Sequence, residues 1–410
     1  MPLIGKMLIA QGGGPTAVIN ESLVGIIKEA RRNPNVTHIY GALHGIQGIA
    51  EENFVDLAYE TEGNLERIAV TPGSILLSTR VKPDEAYLMR MFEVMRHHDI
   101  RYFLYIGGND SADTVRIIKE YALNEDYDLV AVHIPKTIDN DLMENDHSPG
   151  FGSAARYVLQ AFRGVEKDNM AMGGIYIGII MGRHAGYLTA AAALAQQSED
   201  EGPHLVYVPE IPFDLEKFLD DVERVYNTIG RCTIAVSEGI EDGKGNPVIV
   251  NLMENETDSH GNVQLSGNGL LGDMLAEAVK KRLNISRVRA DTFGYLQRSF
   301  LGVRSDVDAK EAREVGEVGA KLAFKGLSGS VAMRRIPPYR VHYELVPIEK
   351  VARHSKTMPR EFMNEEGNYV SEAFIHYAKP LVGGNIPEIA VLRSPPIPKT
   401  FLVKHGEERE

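Results

Sequence analysis

The sequence predicts an α/β protein made of two doubly wound lobes with a ligand-binding cleft between them. Short continuous apolar runs alternate with helical patterns, as expected for parallel strands that helices cover on both faces. This alternation occurs once before about residue 150 and again after it, and 410 residues are enough for two domains. Because ligands of such folds bind outside the carboxyl ends of the strands, we expect the functional residues directly after the apolar runs.

Seven apolar runs are predicted to be strands, and eight periodic segments to be helices. The strands are 6–10, 37–43, 101–108, 128–136, 174–183, 204–210 and 231–239. The helices are 16–32, 85–98, 111–124, 152–167, 186–198, 215–229, 268–283 and 308–326. We assign 1–150 to an N-terminal lobe, joined by about 298–345, and 151–297 to a second lobe, joined by about 346–410. The pattern weakens after about residue 327, and 331–410 receive no role beyond lobe packing.

The composition limits the classes of partner. Lys and Arg total 44 against 57 Asp and Glu, a formal net charge of -13, which argues against a broad nucleic-acid surface. Phosphate ligands would then need local clusters of Arg and Lys. Cys232 is the single cysteine and is predicted to be core. No stretch approaches the roughly 20 apolar residues of a membrane helix, and the N-terminus lacks a signal-peptide pattern, so we expect no membrane partner and a cytoplasmic location.

The segment IPKTIDNDL carries the strongest chemical signal, because it places two acids directly after a predicted strand. Asp139 and Asp141 could divide two tasks, with one accepting a proton and the other helping to hold a hard cation. Lys136 adds an anion contact, and Thr137 adds a hydroxyl. The alternative is an ordinary polar turn, because Asp and Asn are favoured turn residues.

Four further motifs place arginines or an acid near predicted strand or loop ends. Arg183 follows a strand in IMGRHAGYLTAAAALA, and its planar guanidinium suits a phosphoryl group. Glu238 lies in VSEGI, Arg298 lies in ADTFGYLQRSF, and Arg80 ends TPGSILLSTR. Each of these residues is weak evidence alone, because a single charged residue at such a place is more often structural.

Two glycine turns open helices, which is where backbone N–H groups and the helix dipole can hold phosphate. AQGGGPTAVIN follows the first strand but matches neither GxGxxG nor GxxxxGK[ST], which disfavours a Rossmann-type dehydrogenase. IGGNDSADTV carries Asn109 and then Asp110 at the helix start. A carboxylate there is a good helix cap, but it would also repel a phosphate.

The chain resembles the phosphofructokinase family over about residues 5–330. The resemblance rests on five motifs in this order: GGND followed by Ser, PKTIDND, MGRHAG, SEG and GYLQRS. The resemblance implies two α/β lobes with the active site between them. It implies phosphoryl transfer to the 1-hydroxyl of fructose 6-phosphate, giving fructose 1,6-bisphosphate in glycolysis or gluconeogenesis, with Mg²⁺ as cofactor. It also implies a homodimer or homotetramer.

The resemblance further implies a role for each motif residue. Asp139 would take the proton from the sugar hydroxyl, assisted by Asp141, with Thr137 beside the attacking group. Arg183 and Arg80 would meet charge that develops on the transferred phosphoryl. The implied donor-binding residues are Gly12, Gly13, Arg80, Asp110, Ser111 and Lys136. The implied sugar-phosphate residues are Thr137, Asp139, Met181, Gly182, Arg183, Glu238, Tyr295, Arg298 and, from a neighbouring subunit, Arg289. The implied metal ligands are Asn109 and Asp139.

Two residues favour pyrophosphate over ATP as the donor. ATP-using bacterial members of the family usually have GGDG and a glycine at the position of Lys136, whereas pyrophosphate-using members have a second acid and that lysine. The Asp110 side chain would fill the space through which the α-phosphate of a nucleotide must pass, and its charge would repel that phosphate. Lys136 would bind the released phosphate. Two departures from the family pattern are Asn109, which replaces a metal-linked Asp, and Tyr295, which replaces a His of ATP-using members.

Three alternatives remain at this point. An ATP-dependent phosphofructokinase would share nearly all of these motifs. A non-catalytic regulatory subunit or sugar-phosphate-binding protein could share the fold, although it would have no need of Asp139, Asp141 and Arg183. The sugar could also be a seven-carbon phosphate such as sedoheptulose 7-phosphate.

Overall fold

The computed structural model describes residues 3–249, 269–390 and 392–398. The strands are β1 (Gly5–Gln11), β2 (Val36–Ala42), β3 (Phe54–Asp56), β4 (Ile100–Gly107), β5 (Val130–Pro135), β6 (Gly174–Ile180), β7 (Leu205–Tyr207), β8 (Arg231–Ser237), β9 (Val288–Thr292), β10 (Gly329–Ile336) and β11 (Arg340–Val346). The helices are α1 (Ile19–Ala30), α2 (Ile46–Ala50), α3 (Glu62–Ala69), α4 (Glu85–His97), α5 (Asn109–Asn124), α6 (Phe151–Met172), α7 (Tyr187–Ala190), α8 (Leu215–Ile229), α9 (Leu270–Leu283), α10 (Leu296–Ser299), α11 (Asp306–Phe324) and α12 (Glu372–Ala378).

The first lobe is built on a seven-stranded sheet of order β11-β10-β5-β4-β1-β2-β3. Its five inner strands are parallel, and the edge strands β3 and β11 are antiparallel to their neighbours. Successive side chains of β1 enter opposite cores: Met7 and Ile9 pack with α1, α3 and α11, and Leu8 and Ala10 pack with α2, α4 and α5. Both faces of the sheet are therefore covered, which explains the continuous apolar run.

The second lobe is built on a parallel four-stranded sheet of order β7-β8-β6-β9. One face packs on α8 and α9, and the other packs on α6 and the alanine-rich segment that follows α7. Cys232 lies in this core with no exposed surface, as predicted. The predicted α/β fold of two lobes is confirmed.

Several local predictions were wrong or incomplete. The segment 186–198 is not one helix, because α7 is a single turn and continues as a 3₁₀ helix over Ala191–Ala195, packed closely against α6. The sequence pattern also missed β3, β9, β10 and β11. β3 has only three residues, and β9 and β11 are mostly not buried, so these three give no continuous apolar run. Residue 268 and, within 346–410, residues 391 and 399–410 lie outside the described residues. The lobe boundaries stay a prediction.

Strands β10 and β11 extend the first sheet after the chain has already built the second one. The segment that follows β11 then runs past the carboxyl ends of the strands of the first lobe, and α12 packs into the core of the second lobe. No helix within the described ranges has the length and apolarity needed to cross a membrane.

Candidate active site

A cleft of about 650 Å³ is lined by residues that follow strands of both sheets. Its first-lobe wall comes from the chain after β1, β4 and β5, and its second-lobe wall comes from the chain after β6, β8 and β9. Every site residue predicted from the sequence lines this cleft except Gly12, Gly182 and Arg289. The structure therefore brings together motifs that are up to about 280 residues apart in the sequence.

The acid turn after β5 directs two carboxylates into the cleft. Asn140 has a φ of 59°, and this left-handed residue reverses the chain between Asp139 and Asp141. The Thr137 hydroxyl accepts a hydrogen bond from the Asp139 backbone N–H at 3.1 Å and donates to Asp141 Oδ1 at 3.3 Å. The segment is thus a polar turn, as the alternative interpretation held, and it is also one that concentrates acids at the floor of the cleft.

Burial raises the pKa of both acids. For Asp139, the loss of solvent is opposed by the nearby positive charges of Arg298, Lys136 and Arg183. For Asp141, the loss of solvent is reinforced by the neighbouring Asp139 carboxylate. A carboxylate whose pKa is raised toward neutrality is a better proton acceptor than an exposed one, so the pair is suited to general-base chemistry.

Asn109 connects α5 to the acid turn and leaves one oxygen available. Its amide nitrogen donates to Asp141 Oδ2 at 2.8 Å and to the Ser355 hydroxyl at 2.9 Å. Its Oδ1 is buried and finds no hydrogen-bond partner in the part of the chain that the structure describes. An amide oxygen beside carboxylates is a donor set that Mg²⁺ prefers, so these residues fit a hard divalent cation. Asp141 is the acid that Asn109 contacts directly.

Positive charge is concentrated around the glycine loop that follows β1. Lys136 is only 3% exposed, and its Nζ donates to the Gly14 carbonyl oxygen at 2.6 Å. Burial, together with the positive charges of Arg298 and Arg80, lowers the pKa of Lys136 to about 7. The guanidinium of Arg298 crosses from the second lobe to the same loop, and a Cβ on Gly14 would lie 3.2 Å from its Cζ. This is the local cationic cluster that an acidic chain needs to bind phosphate.

The first glycine turn is required mainly by the packing of the protein itself. A Cβ on Gly12 would lie 2.4 Å from the hydroxyl oxygen of Tyr105 and 2.7 Å from Oγ of Ser111. Gly12 therefore packs against side chains beneath the cleft surface, whereas Gly13 lines the cleft and has a φ of 74°. Direct donor contact, as predicted for Gly12, is not favoured by this position.

Asp110 lies at the rim of the cleft. Its side chain is 66% exposed, and Oδ1 is 3.4 Å from Nζ of Lys82, which is 53% exposed. Lys82 was not predicted from the sequence. The pairing partly compensates the charge of Asp110.

The residues predicted to contact the sugar phosphate differ in their position relative to the cleft. Met181 and Glu238 are buried and line the cleft. Gly182 supports the wall instead, because its carbonyl accepts a hydrogen bond from the Ser237 hydroxyl at 2.7 Å. Tyr295 is exposed, and its ring centroid lies 4.8 Å from Cζ of Arg298.

Arg289 lies outside the cleft of its own chain. It is an exposed residue of β9, and its Nη1 donates to the Val288 carbonyl. Service to a neighbouring subunit stays a prediction.

The sequence missed Ser355 and His184, both of which line the cleft. Ser355 belongs to the segment that was given no functional role, and no strand end or glycine turn marks it. His184 lies within the quoted MGRHAG motif, where Arg183 drew the attention.

A desolvated base, a cationic cluster and an oxygen site for a divalent ion are the requirements for moving a phosphoryl group by positioning and electrostatics. The class of protein that this cleft defines is a phosphotransferase. Residues 6–316 match the phosphofructokinase family model. The chain belongs to the phosphofructokinase family.

The sequence similarity to known proteins extends over nearly the whole chain. The chain is 54% identical to the pyrophosphate–fructose 6-phosphate 1-phosphotransferase of Rhodospirillum rubrum over 97% of this chain and 99% of that protein. It is 38% identical to the enzyme of the same name from Xanthomonas campestris pv. campestris over 93% of each. The crystal structure of a pyrophosphate-dependent phosphofructokinase from Nitrosospira multiformis matches with a TM-score of 0.82 and 31% identity over 94% of each chain.

Proposed function

We propose that the protein catalyses pyrophosphate-dependent phosphoryl transfer to the 1-hydroxyl of fructose 6-phosphate, giving fructose 1,6-bisphosphate and inorganic phosphate. The observation that carries the proposal is the buried Lys136, which lies at the floor of the cleft beside the acid pair and the donor loop. The names of the relatives support the same donor and the same sugar.

The acid turn supplies the base. Asp139 takes the proton from the sugar 1-hydroxyl, and the oxygen forms a bond to the terminal phosphorus of pyrophosphate. The bridging P–O bond breaks, and inorganic phosphate leaves with the electron pair. Asp141 lies beside Asp139, whose carboxylate raises the pKa of Asp141, and Thr137 orients both acids through its hydroxyl.

Cations stabilise the charge that the transfer moves. Arg183 and Arg80 are proposed to meet the phosphoryl group in transit, and Lys136 the phosphate that leaves. Such groups act most strongly where water is excluded, because they are already oriented when the charge develops. Lys136 is the most buried of the three and has the largest expected effect on donor binding.

Mg²⁺ is proposed to be held by Asn109 Oδ1 together with the carboxylates of Asp141 and Asp139. When bound, the ion would neutralise negative charge on the donor phosphates. Asn109 contributes an oxygen without a charge, so the two acids supply the charge of the site.

The sugar phosphate is assigned to the second-lobe wall. Met181 and Glu238 are buried there and would contact the sugar, while Tyr295 and Arg298 would donate to its 6-phosphate. Arg289, exposed on β9, would serve the cleft of a neighbouring copy of this chain, which makes a homodimer or homotetramer the proposed active unit.

A donor comparison tests the proposal. The purified protein is given fructose 6-phosphate and Mg²⁺ with either pyrophosphate or ATP, and formation of fructose 1,6-bisphosphate is followed with each. We expect turnover with pyrophosphate and little with ATP. Comparable turnover with ATP would sink the donor assignment. The absence of product with both donors would favour a non-catalytic subunit.

A further inference from the structure

We infer that Tyr377 and Lys356, from the segment after β11, are positioning residues that hold the Asp139–Asn140–Asp141 turn in its reactive shape. The inference rests on the proposed function, in which the two acids of this turn act on the sugar hydroxyl. Neither residue reaches the cleft lining itself.

Tyr377 fixes the central residue of the turn. Asn140 is fully buried with a φ of 59°, a conformation that costs free energy unless the surrounding structure holds it. Its Nδ2 donates to the Tyr377 hydroxyl at 2.7 Å, and its Oδ1 accepts from the Ser148 backbone N–H at 3.0 Å. The Tyr377 hydroxyl in turn donates to the Asp146 carbonyl at 2.8 Å. The Tyr377 hydroxyl therefore connects Asn140, at the tip of the turn, to Asp146, which follows the turn.

Lys356 holds the same turn at its end. Its backbone N–H donates to the Asp141 carbonyl at 2.8 Å, and its Nζ donates to the carbonyls of Asn145 and Asp146 at 2.7 Å each. The preceding residue, Ser355, pairs with Leu142 in an isolated antiparallel bridge. The turn and the following residues are thus fastened to one short piece of the late segment.

Tyr377 and Lys356 together form a brace on the acid turn, and this brace is anchored in the core of the second lobe. Helix α12 carries Phe374, which is fully buried among residues of α6 and the alanine-rich segment. The Tyr377 ring lies 5.1 Å from Phe362 and 5.9 Å from Tyr187 by ring centroids. The acids belong to the first lobe, so this brace fixes them relative to the wall that is assigned to the sugar. A base must be placed accurately against the hydroxyl, and an error of about 1 Å can reduce a rate by roughly 100-fold.

Arg335 of β10 contacts both Tyr377 and Asp146. Its Nη1 donates to the Tyr377 carbonyl at 2.8 Å, and its Nη2 is 2.9 Å from Asp146 Oδ1. A purely structural role for these contacts would lower stability and leave the chemistry of the remaining folded enzyme unchanged. The decisive readout is therefore turnover rather than melting.

The first test is Tyr377→Phe, which keeps the ring and removes only the hydroxyl. We expect kcat to fall by about tenfold or more, with KM for both substrates within about twofold, because the base is displaced while the binding walls remain. The matched control is Tyr369→Phe, from the same segment, whose hydroxyl donates to Gln196 at 2.8 Å, away from the turn. The control should lose a similar amount of melting temperature and keep wild-type kcat.

The second test is Lys356→Met, read by kcat and by KM for both substrates. The substitution removes the two hydrogen bonds that Nζ donates to the carbonyls of Asn145 and Asp146. We expect kcat to fall by about tenfold with KM for both substrates within about twofold, because the turn shifts while the binding walls remain. The matched control is Lys350→Met, an exposed lysine of the same segment, which should keep wild-type kcat.

Wild-type kcat in Tyr377→Phe, or in Lys356→Met, would overturn the inference for that residue. The proposed function fails separately, and its failure is recognised by full activity in Asp139→Asn. If Asp139→Asn is inactive and Tyr377→Phe is normal, only the positioning role of Tyr377 is wrong.

Discussion

The floor and the rim of the cleft handle charge in opposite ways. At the floor, Lys136 is buried and the two acids are half-buried, and loss of solvent lowers the pKa of Lys136 and raises the pKa values of Asp139 and Asp141. At the rim, Asp110 and Lys82 form an ion pair in which both side chains are more than half exposed. Charges interact far more strongly where water is excluded than at an exposed site. We propose that the floor carries the chemistry and that the rim selects the donor mainly by size.

The largest effect is expected at the base. Asp139→Asn keeps the size of the side chain and removes the proton acceptor, so kcat should fall by roughly 10²- to 10⁴-fold. Steady-state kinetics with pyrophosphate measure the change. The matched control is Asp84→Asn, at the N-cap of α4, where Asn caps as well as Asp and kcat should be unchanged. A kcat in Asp139→Asn close to that of the control would remove Asp139 from the mechanism.

The same substitution at floor and rim sharpens the comparison. Lys136→Met should raise KM for pyrophosphate by about tenfold or more, because a phosphate contact that excludes water is lost. Lys82→Met should change it by no more than about fivefold, because an exposed ion pair contributes roughly 0–1 kcal/mol. Equal effects at the two positions would contradict the division between floor and rim.

The pH dependence should follow the floor groups. The base must be deprotonated and its pKa is raised by burial, so kcat should fall as the pH decreases through a value above that of an exposed Asp. Lys136 must be protonated to attract phosphate, and its pKa is lowered to about 7. KM for pyrophosphate should therefore increase as the pH rises through about 7. In Lys136→Met this increase should disappear, and its persistence there would assign it to another group.

The smallest effect is expected at Asp110. Because the charge of Asp110 is exposed to solvent and partly compensated by Lys82, Asp110→Asn should leave the donor preference nearly unchanged, whereas Asp110→Gly removes the volume and should permit some ATP use. The double variant Asp110→Gly, Lys136→Gly should raise ATP turnover further. Parallel assays with both donors measure this. If Asp110→Asn alone brings ATP use, repulsion rather than size is the selective element.

Much of the site could be predicted because parallel strands place chemistry at one edge. Glycine turns, Asp139, Asp141 and Arg183 all follow continuous apolar runs, and the topology of the sheets brings strand ends together without further information. The α/β class follows from the same runs. Even so, the sequence could not distinguish Gly12, which packs under Tyr105, from Gly13, which lines the cleft.

The late segment could not be predicted because its role depends on long-range contacts. Ser355, Lys356 and Tyr377 follow no strand end or glycine turn, and they meet the acid turn only after β10 and β11 have returned to the first sheet. The pairing of Asp110 with Lys82 is hidden for a similar reason, because the two residues lie on separate loops. Single hydrogen bonds between distant residues leave no periodic trace in a sequence.

The central claim is that the cleft transfers a phosphoryl group between pyrophosphate and the sugar phosphate, and the reverse reaction tests it most directly. Fructose 1,6-bisphosphate, Mg²⁺ and inorganic phosphate are incubated with the enzyme in the absence of nucleotide, and the mixture is followed by phosphorus NMR. The account predicts a growing pyrophosphate signal with matching formation of fructose 6-phosphate, and no such signal with Asp139→Asn. Formation of ATP from ADP in a parallel sample, with no pyrophosphate in the first, would contradict it.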